Sequence, residues 1–138
     1  MADPGSAVVK LAQQMNIRVV PLSGPSSIIL SLMASGFNGQ QFTFHGYLPV
    51  KEHDRVRKIK ELEKDLFKTG QTHIFIEAPY RNKHMIESIL SSCSNEVMLC
   101  IASNLSLADE SVKSASVAEW KKINPDPCKK PTVFLLSR

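Results

Sequence analysis

Apolar residues recur at intervals of three and four in several parts of the chain, which is typical of helices that bury one face. The first helix is predicted to begin near Ser6 and to end around Asn16. A second lies between Pro25 and Gly36, and we expect the proline at a first helical position and the glycine at the far end. A third, highly charged helix over residues 51–68 has this apolar face: Val56, Ile59, Leu62, Leu66 and Phe67.

Runs of β-branched or alternating residues between these helices indicate strands. We predict a buried strand at residues 17–21. Further strands are predicted at 41–47, 74–76, 97–102 and 132–136. A break at Pro79-Tyr80-Arg81 precedes a helix whose core side is Met85, Ile86, Ile89 and Leu90. After residue 102 the sequence predicts a polar loop to about Val117, followed by a short helix that carries Val117 and Trp120.

Strands and helices therefore alternate, which predicts a three-layer α/β/α domain with a mixed sheet. The first helix and the strand at residues 17–21 are exceptions, because no strand precedes them to complete a βαβ unit. We expect residues 1 to about 35 to resemble the tail of another domain.

The composition is that of an ordinary globular domain. The chain has 138 residues, of which 43% are hydrophobic and 22% charged, and this balance excludes a disordered protein. The longest apolar run, near residues 28–34, is too short to span a bilayer, and no secretory signal is visible, so we expect a cytoplasmic protein. Seventeen basic residues against thirteen acidic ones permit a polyanionic partner but do not require one.

The cysteines and histidines do not have the spacing of a metal site. Cys93, Cys100 and Cys128 are odd in number and far apart, so we expect free buried thiols rather than a disulfide framework or a zinc knuckle. The four histidines form no pattern of metal ligands either: His45, His53, His73 and His84.

The turn Ser23-Gly24-Pro25-Ser26-Ser27 is the first candidate site. It lies between a predicted strand and the start of a helix, where backbone N–H groups and the helix dipole favour an anionic or polar ligand group. Glycine allows close approach to the backbone, and the serine hydroxyls add donors. From the residues alone, a simple helix cap is the more common explanation of such a turn.

Basic residues after Tyr47 are the second candidate. The tyrosine is available for stacking, and the cations that follow it have the chemistry of phosphate contacts. These are Lys51, Arg55, Arg57, Lys58 and Lys60. Acidic residues then reverse the sign, so a solvated helix face with internal charge pairs is the alternative.

A third candidate follows the strand at residues 74–76. Glu77, Tyr80 and Arg81 place a carboxylate, a phenol and a guanidinium at one strand end, where they can hold a ligand or transfer a proton. An ion pair between Arg81 and Glu77 that fixes the corner is the alternative. The sequence contains no nucleophilic triad pattern, P-loop or dinucleotide fingerprint.

Four segments in a fixed order carry a family resemblance. They are Asp3-Pro4-Gly5, Val20-Pro21-Leu22-Ser23-Gly24-Pro25-Ser26-Ser27, Phe44-His45-Gly46-Tyr47-Leu48-Pro49 and Phe75-Ile76-Glu77-Ala78-Pro79-Tyr80-Arg81. In this the chain resembles the tetrapyrrole methylase superfamily, the class III S-adenosylmethionine-dependent methyltransferases. It is most similar to the bacterial branch that methylates a cytidine 2'-hydroxyl of small-subunit ribosomal RNA, and the resemblance covers nearly the whole chain.

The resemblance implies two α/β domains with S-adenosylmethionine in the cleft between them. Residues 1–24 would then be the tail of the N-terminal domain and the hinge, and residues 25–138 the complete C-terminal domain. This chain would be a C-terminal fragment that is inactive alone and binds the cofactor very weakly, because one cleft wall is missing. Its opening helix and strand would expose an apolar edge, so we expect a homodimer.

The resemblance also assigns residues to the two ligands. The cofactor cleft wall is predicted to contain Gly24, Pro25, Ser26 and Ser27. Candidate contacts to an RNA substrate are Lys51, Arg55, Arg57, Lys58, Glu77, Tyr80 and Arg81. No catalytic base, metal or membrane contact is predicted. Two alternatives stay open, a corrin or porphyrin methylase and an RNA-binding module without chemistry.

Overall fold

A five-stranded mixed sheet forms the centre of the molecule. The computed structural model describes residues 5–125 and 129–138. Its strands are β1 (Phe42–Tyr47), β2 (Thr72–Glu77), β3 (Met98–Ser103), β4 (Ser111–Ser116) and β5 (Thr132–Ser137). They lie in the order β1-β2-β5-β3-β4, in which β1 and β2 are parallel and every other neighbouring pair is antiparallel.

Helices cover both faces of this sheet. The helices that do so are α2 (Ser27–Ser35), α3 (Glu52–Thr69), α4 (Asn82–Ser92) and α5 (Val117–Ile123), and α1 (Ser6–Gln14) precedes them in the chain. Helix α2 packs on one face against β3, β4 and β5, whereas α3, α4 and α5 form a layer on the other face. The predicted three-layer α/β/α fold with a mixed sheet is therefore confirmed.

The larger core lies between the sheet and the layer of α3, α4 and α5. The rings of Phe75 and Phe134 stack across β2 and β5 with centroids 5.8 Å apart, and both are fully buried. Trp120 of α5 is buried as well, and its indole N–H donates a 2.8 Å hydrogen bond to the Leu99 carbonyl. That bond satisfies the one polar group of a large apolar side chain and joins α5 to the sheet.

A smaller core lies under α2. Ile28 and Leu32 pack there against Ile74 and Leu135 of the sheet. The helix ends at Gly36, whose φ of 76° is left-handed and suits glycine. The Ser114 hydroxyl donates a 2.7 Å bond to the Ser35 carbonyl, so the last turn of α2 is fixed to strand β4.

The opening of the chain differs from its prediction. Helix α1 forms as expected but buries none of its residues, and residues 17–21 are extended and exposed without forming a strand. Leu22, at 90% exposure, has the most open large apolar side chain in the described part of the chain. A strand is stable only beside a partner strand, and none in the described residues pairs with this segment.

Two other details correct the sequence prediction. Pro25 does not occupy the first helical position, because α2 begins at Ser27 with Ser26 as its N-cap residue. The polar loop predicted from residue 103 to about Val117 contains β4, which pairs along its whole length with β3. The other predicted helices and strands are confirmed with small shifts of their ends. Cys93 and Cys100 are buried free thiols as expected, and Cys128 lies outside the described residues.

Candidate functional site

A groove of about 450 Å³ lies at one edge of the sheet. Strands β1, β2 and β3 all end at this edge, since Glu77 and Ser103 both stand opposite Thr132. Ligands of open α/β sheets characteristically bind outside the carboxyl ends of such strands. The lining residues are Ser27, Tyr47, Ile76, Glu77, Pro79, Ala102, Asn104, Leu105, Leu107, Pro131, Thr132 and Val133.

Most of this lining is apolar, with a few polar groups among the apolar side chains. Ile76, Leu105 and Val133 belong to the smaller core or pack against it, so the groove continues the packed side of the sheet that faces α2. Ser27 and Asn104 add a hydroxyl and an amide. An apolar concavity with a few polar groups is the usual form of a small-molecule site.

Helix α2 begins at the groove. Ser27, its first residue, is the one member of the predicted cofactor turn that lines the groove. The free N–H groups of a first helical turn attract anionic groups. Gly24 and Pro25 are exposed on the preceding segment, and no atom lies within 4 Å of a Cβ placed on Gly24. Ser27 of the predicted turn is therefore part of the groove lining, whereas Gly24 and Pro25 lie on the exposed segment that leads to it.

Glu77, Tyr80 and Arg81 come together at the mouth of the groove. Arg81 donates to one Glu77 carboxylate oxygen from Nε at 2.9 Å, and its Nη2 lies 2.7 Å from the same oxygen. The Ala78 amide donates to that oxygen too, at 2.7 Å. The side chain of Glu77 is only 1% exposed, so this ion pair is well shielded. The hydrogen bond with Glu77 raises the pKa of Arg81 above its usual value.

The Tyr80 ring is held by the same guanidinium. Nη1 of Arg81 donates a 2.8 Å bond to the Tyr80 hydroxyl, and the guanidinium carbon lies 5.0 Å from the ring centroid. The ion pair between Arg81 and Glu77, one of the two alternatives for this segment, is thus present, and Glu77 also lines the groove.

A buried hydroxyl network supports the groove from below. Thr132 lines the groove, and its hydroxyl lies 2.9 Å from that of Ser103. The side-chain amide of Asn82, at the start of α4, donates to the Thr132 hydroxyl at 3.1 Å and to the Lys130 carbonyl at 2.8 Å. The sequence analysis missed this network, because it depends on β5 lying between β2 and β3.

The loop over residues 104–110 forms one wall of the groove. Asn104 and Ser106 have positive φ values of 51° and 68°, and the loop is closed by side chains. Asp109 accepts a 2.8 Å bond from the Asn104 amide and pairs at 2.8 Å with Lys130. The bond with Lys130 lowers the pKa of Asp109. The sequence signal that could have indicated this turn is Asn104, because asparagine tolerates the left-handed backbone conformation found in turns.

The predicted basic contacts divide into exposed and buried groups. Lys51 and Arg57 are exposed and Lys58 is partly so, and the latter two pair with acidic residues of the same helix at 3.1 Å and 3.4 Å. Arg55 is buried instead. Its Nε donates to the Ser88 hydroxyl at 2.9 Å and its Nη1 to the Val50 carbonyl at 2.7 Å. Arg55 therefore joins α3 to α4 rather than facing a phosphate.

Residues 5–125 and 129–138 contain neither a cluster of metal ligands nor a membrane-spanning helix. Histidines, cysteines and carboxylates nowhere form a group of three that could hold a metal ion. No helix there has the length and apolar character to cross a membrane.

Comparisons with known proteins place the chain in a family. No family model matches it. Ribosomal RNA small subunit methyltransferase I of Vibrio cholerae is 33% identical over 119 residues, which cover 86% of this chain and 40% of that protein. The proteins of the same name from Pseudomonas aeruginosa and Buchnera aphidicola are 32% and 30% identical, over 86% and 97% of this chain and 41% and 47% of theirs. These relatives confirm the predicted resemblance to the tetrapyrrole methylase family.

Solved structures agree with this assignment at the level of the fold. The structure of the methyltransferase CobJ matches the whole of this chain with a TM-score of 0.63 and 11% identity. The match covers 60% of the CobJ chain. Uroporphyrin-III C-methyl transferase from Thermus thermophilus matches with a TM-score of 0.55 at 14% identity, over 61% of its length. The predicted family is thus confirmed, and the chain spans less than half the length of the curated relatives that it matches.

Proposed function

We propose that this chain is part of an S-adenosylmethionine-dependent methyltransferase that methylates a ribose 2'-hydroxyl of small-subunit ribosomal RNA. The groove at the strand ends carries the proposal, because it brings the start of α2 and the Glu77 corner together. The names of the curated relatives favour ribosomal RNA over a corrin or porphyrin as the acceptor. The Thermus thermophilus neighbour was solved as a complex with S-adenyl homocysteine, which supports the cofactor.

The residues of the groove suit this cofactor. Its adenine needs an apolar surface, and Ile76, Leu105 and Val133 provide one. Its carboxylate suits the first turn of α2, where the Ser27 hydroxyl adds a donor. Gly24, Pro25 and Ser26 stay proposed cofactor contacts, as the segment that leads to that turn.

Positioning is the main contribution that we propose for this chain. When bound, S-adenosylmethionine supplies a methyl group activated by a positive sulfur, so the acceptor oxygen chiefly has to be held in line with it. We do not assign Glu77 as a free base, because it forms an ion pair with Arg81 and one of its carboxylate oxygens also accepts from the Ala78 amide. We place Glu77, Tyr80 and Arg81 at the substrate side of the groove and assign no catalytic base.

Exposed or partly exposed cations that follow β1 are the proposed contacts to the RNA backbone. Lys51, Arg57 and Lys58 keep this role, since phosphate contacts need accessible charges. Arg55 is withdrawn from the set because its guanidinium is buried between two helices. A ribosomal RNA substrate also implies that the protein works in the cytoplasm.

The opening of the chain supports two linked proposals. Residues 1–24 are proposed as the tail of an N-terminal methylase domain with its hinge, and residues 25–138 as the C-terminal domain.

In this chain we propose that a second copy covers the exposed apolar face and forms a homodimer. That face includes Val8, Leu11, Met15, Ile17, Val20 and Leu22. Light scattering should then give twice the chain mass, and Leu11→Glu with Val20→Lys should give the monomer; a wild-type monomer at high concentration would contradict this.

A chimera tests the proposed activity. Residues 25–138 would replace the matching part of the Vibrio cholerae relative, and small-subunit particles without the modification would receive methyl-labelled S-adenosylmethionine. We expect label in the RNA, located on a ribose by nuclease digestion and mass spectrometry. Ser27→Pro in the same chimera is the matched control, and it should lower the labelling. A folded chimera that labels a base, a tetrapyrrole or nothing would overturn the proposal.

A further inference from the structure

Two tyrosines at the groove mouth are the most exposed aromatic rings of the described residues. Tyr80 is 67% exposed and Tyr47 is 58% exposed, whereas Phe75, Phe134 and Trp120 are buried in the core. The fold does not need the apolar surface of the two tyrosines, because neither belongs to a core cluster. Exposed rings at the mouth of a concavity are typical of a binding surface.

The fold brings these rings together from distant parts of the sequence. Tyr47 ends β1, where it stands opposite Ile76 of β2, and it lines the groove. Tyr80 lies in the short 3-10 turn that follows β2, next to Pro79, which also lines the groove. The guanidinium of Arg81 interacts electrostatically with both phenols. Tyr47 therefore lines the groove, and Tyr80 directly follows one of its lining residues.

Tyr80 is held in place before any ligand arrives. Arg81 contacts its hydroxyl at 2.8 Å and lies 5.0 Å from its ring centroid, and Arg81 is itself fixed by the buried Glu77 carboxylate. A ring that is already ordered loses little conformational entropy on binding. The ion pair that fixes the corner thus also holds an exposed aromatic side chain in one position.

We propose that Tyr47 and Tyr80 form a stacking platform for unpaired RNA bases at the mouth of the groove. This rests on the proposed RNA substrate and adds that the substrate is single-stranded there. Every base has a flat face that stacks on an aromatic ring, but in a duplex both faces are covered by neighbouring bases. Lys51, exposed four residues after Tyr47, is placed to contact the backbone of the same strand.

The experiment compares single-stranded and paired RNA. Fluorescence anisotropy would measure the affinity of the 138-residue chain for a labelled RNA of about ten nucleotides, alone and annealed to its complement. We expect the single strand to bind at least tenfold more tightly. Tyr47→Ala and Tyr80→Ala should each weaken that binding by about tenfold and leave its salt dependence unchanged, because no phosphate contact is lost.

Three control variants separate stacking from other effects. Tyr80→Phe keeps the ring and should bind within about twofold of wild type. Phe42→Ala removes a 39% exposed ring at the opposite end of β1 and should have no effect. Lys51→Gln should weaken binding and reduce the slope against salt by about one. Circular dichroism would verify that each variant is folded.

Defined results would overturn the platform. They are equal affinity for the single strand and the duplex, unchanged affinity in both alanine variants, or equal losses in Tyr80→Phe and Tyr80→Ala. A chain that binds no RNA would also overturn it and leave the tyrosines as a surface for another protein. The proposed methyltransferase is tested separately: a failed chimera with intact single-strand preference overturns the activity and not the platform.

Discussion

The Nε2 atom of His45 lies 2.9 Å from Nδ1 of His73, so the two imidazoles share one proton across the parallel pair β1–β2. His73 is buried, and its other ring nitrogen lies 3.3 Å from a carboxylate oxygen of Asp65 on α3. Lys58 of the same helix also faces the pair. Burial is the main cause that lowers the pKa of His45, to about 4, and it lowers the pKa of His73 as well.

This arrangement predicts a loss of stability in mild acid. The unfolded chain takes up protons at these histidines below about pH 6.5, whereas the folded chain keeps His45 neutral down to about pH 4. The contribution of these histidines to stability should therefore fall as the pH drops from about 6.5 to about 4, and it should level off below pH 4. We expect a loss of about 1–2 kcal/mol between pH 7.5 and 5, after allowance for solvent screening, measured by urea unfolding.

Variants of two histidines check the assignment. His45→Gln should flatten the dependence of unfolding free energy on pH, because one displaced titration is removed. His53→Gln is the matched control: His53 is an exposed residue of α3 and should not change the slope. An unchanged slope in His45→Gln would show that the pair does not cause the acid sensitivity.

Arg55 and Arg57 should differ in what they support. Arg55→Ala leaves the Val50 carbonyl and the Ser88 hydroxyl without their buried partner, so we expect a loss of about 2–3 kcal/mol in the free energy of unfolding. Arg57→Ala should change stability by less than about 0.5 kcal/mol but weaken RNA binding. Chemical denaturation and anisotropy measure the two effects. Equal stability losses would contradict the structural role of Arg55.

Ser27 offers a test of the proposed cofactor contact. The backbone of Ser26, at φ −125° and ψ 120°, already has the extended conformation that precedes proline, so Ser27→Pro fits the start of α2. It removes an amide N–H and a hydroxyl, whereas Ser27→Ala removes only the hydroxyl. In NMR titrations with S-adenosylhomocysteine we expect a loss of about tenfold for proline and about threefold for alanine. Wild-type affinity in Ser27→Pro would exclude this contact.

The buried thiols should be chemically inert. Burial raises the pKa of Cys93 to about 12 and also raises that of Cys100, so little of either thiolate exists near neutral pH. In a Cys128→Ser variant, a disulfide reagent at pH 8 should modify no thiol rapidly in the native state and two after denaturation. Rapid native modification would show that one of these sites opens.

The sequence predicted the elements that bury a clear apolar face and failed where pairing decides. Strand β4 has only Val112 and Ala115 as apolar residues, and they face opposite sides of the sheet, so no alternating pattern is visible. Pairing with β3 makes it a strand. Residues 17–21 show the reverse case, because their β-branched pattern predicts a strand that has no neighbour here.

The candidate site follows the same division. The turn before α2 and the Glu77 corner were predicted because each is a local pattern at the end of an element. Thr132 and the loop over residues 104–110 were not, because they reach the groove only through the position of β5 between β2 and β3. The burial of Arg55 could not be predicted from the sequence either, because it depends on how α4 packs against α3.

Neither hydrophobic cluster contains a residue before Ile28, so neither takes anything from α1. The interior of the stretch from α2 to β5 is therefore complete without α1, and a change in α1 leaves the packing around the sheet intact.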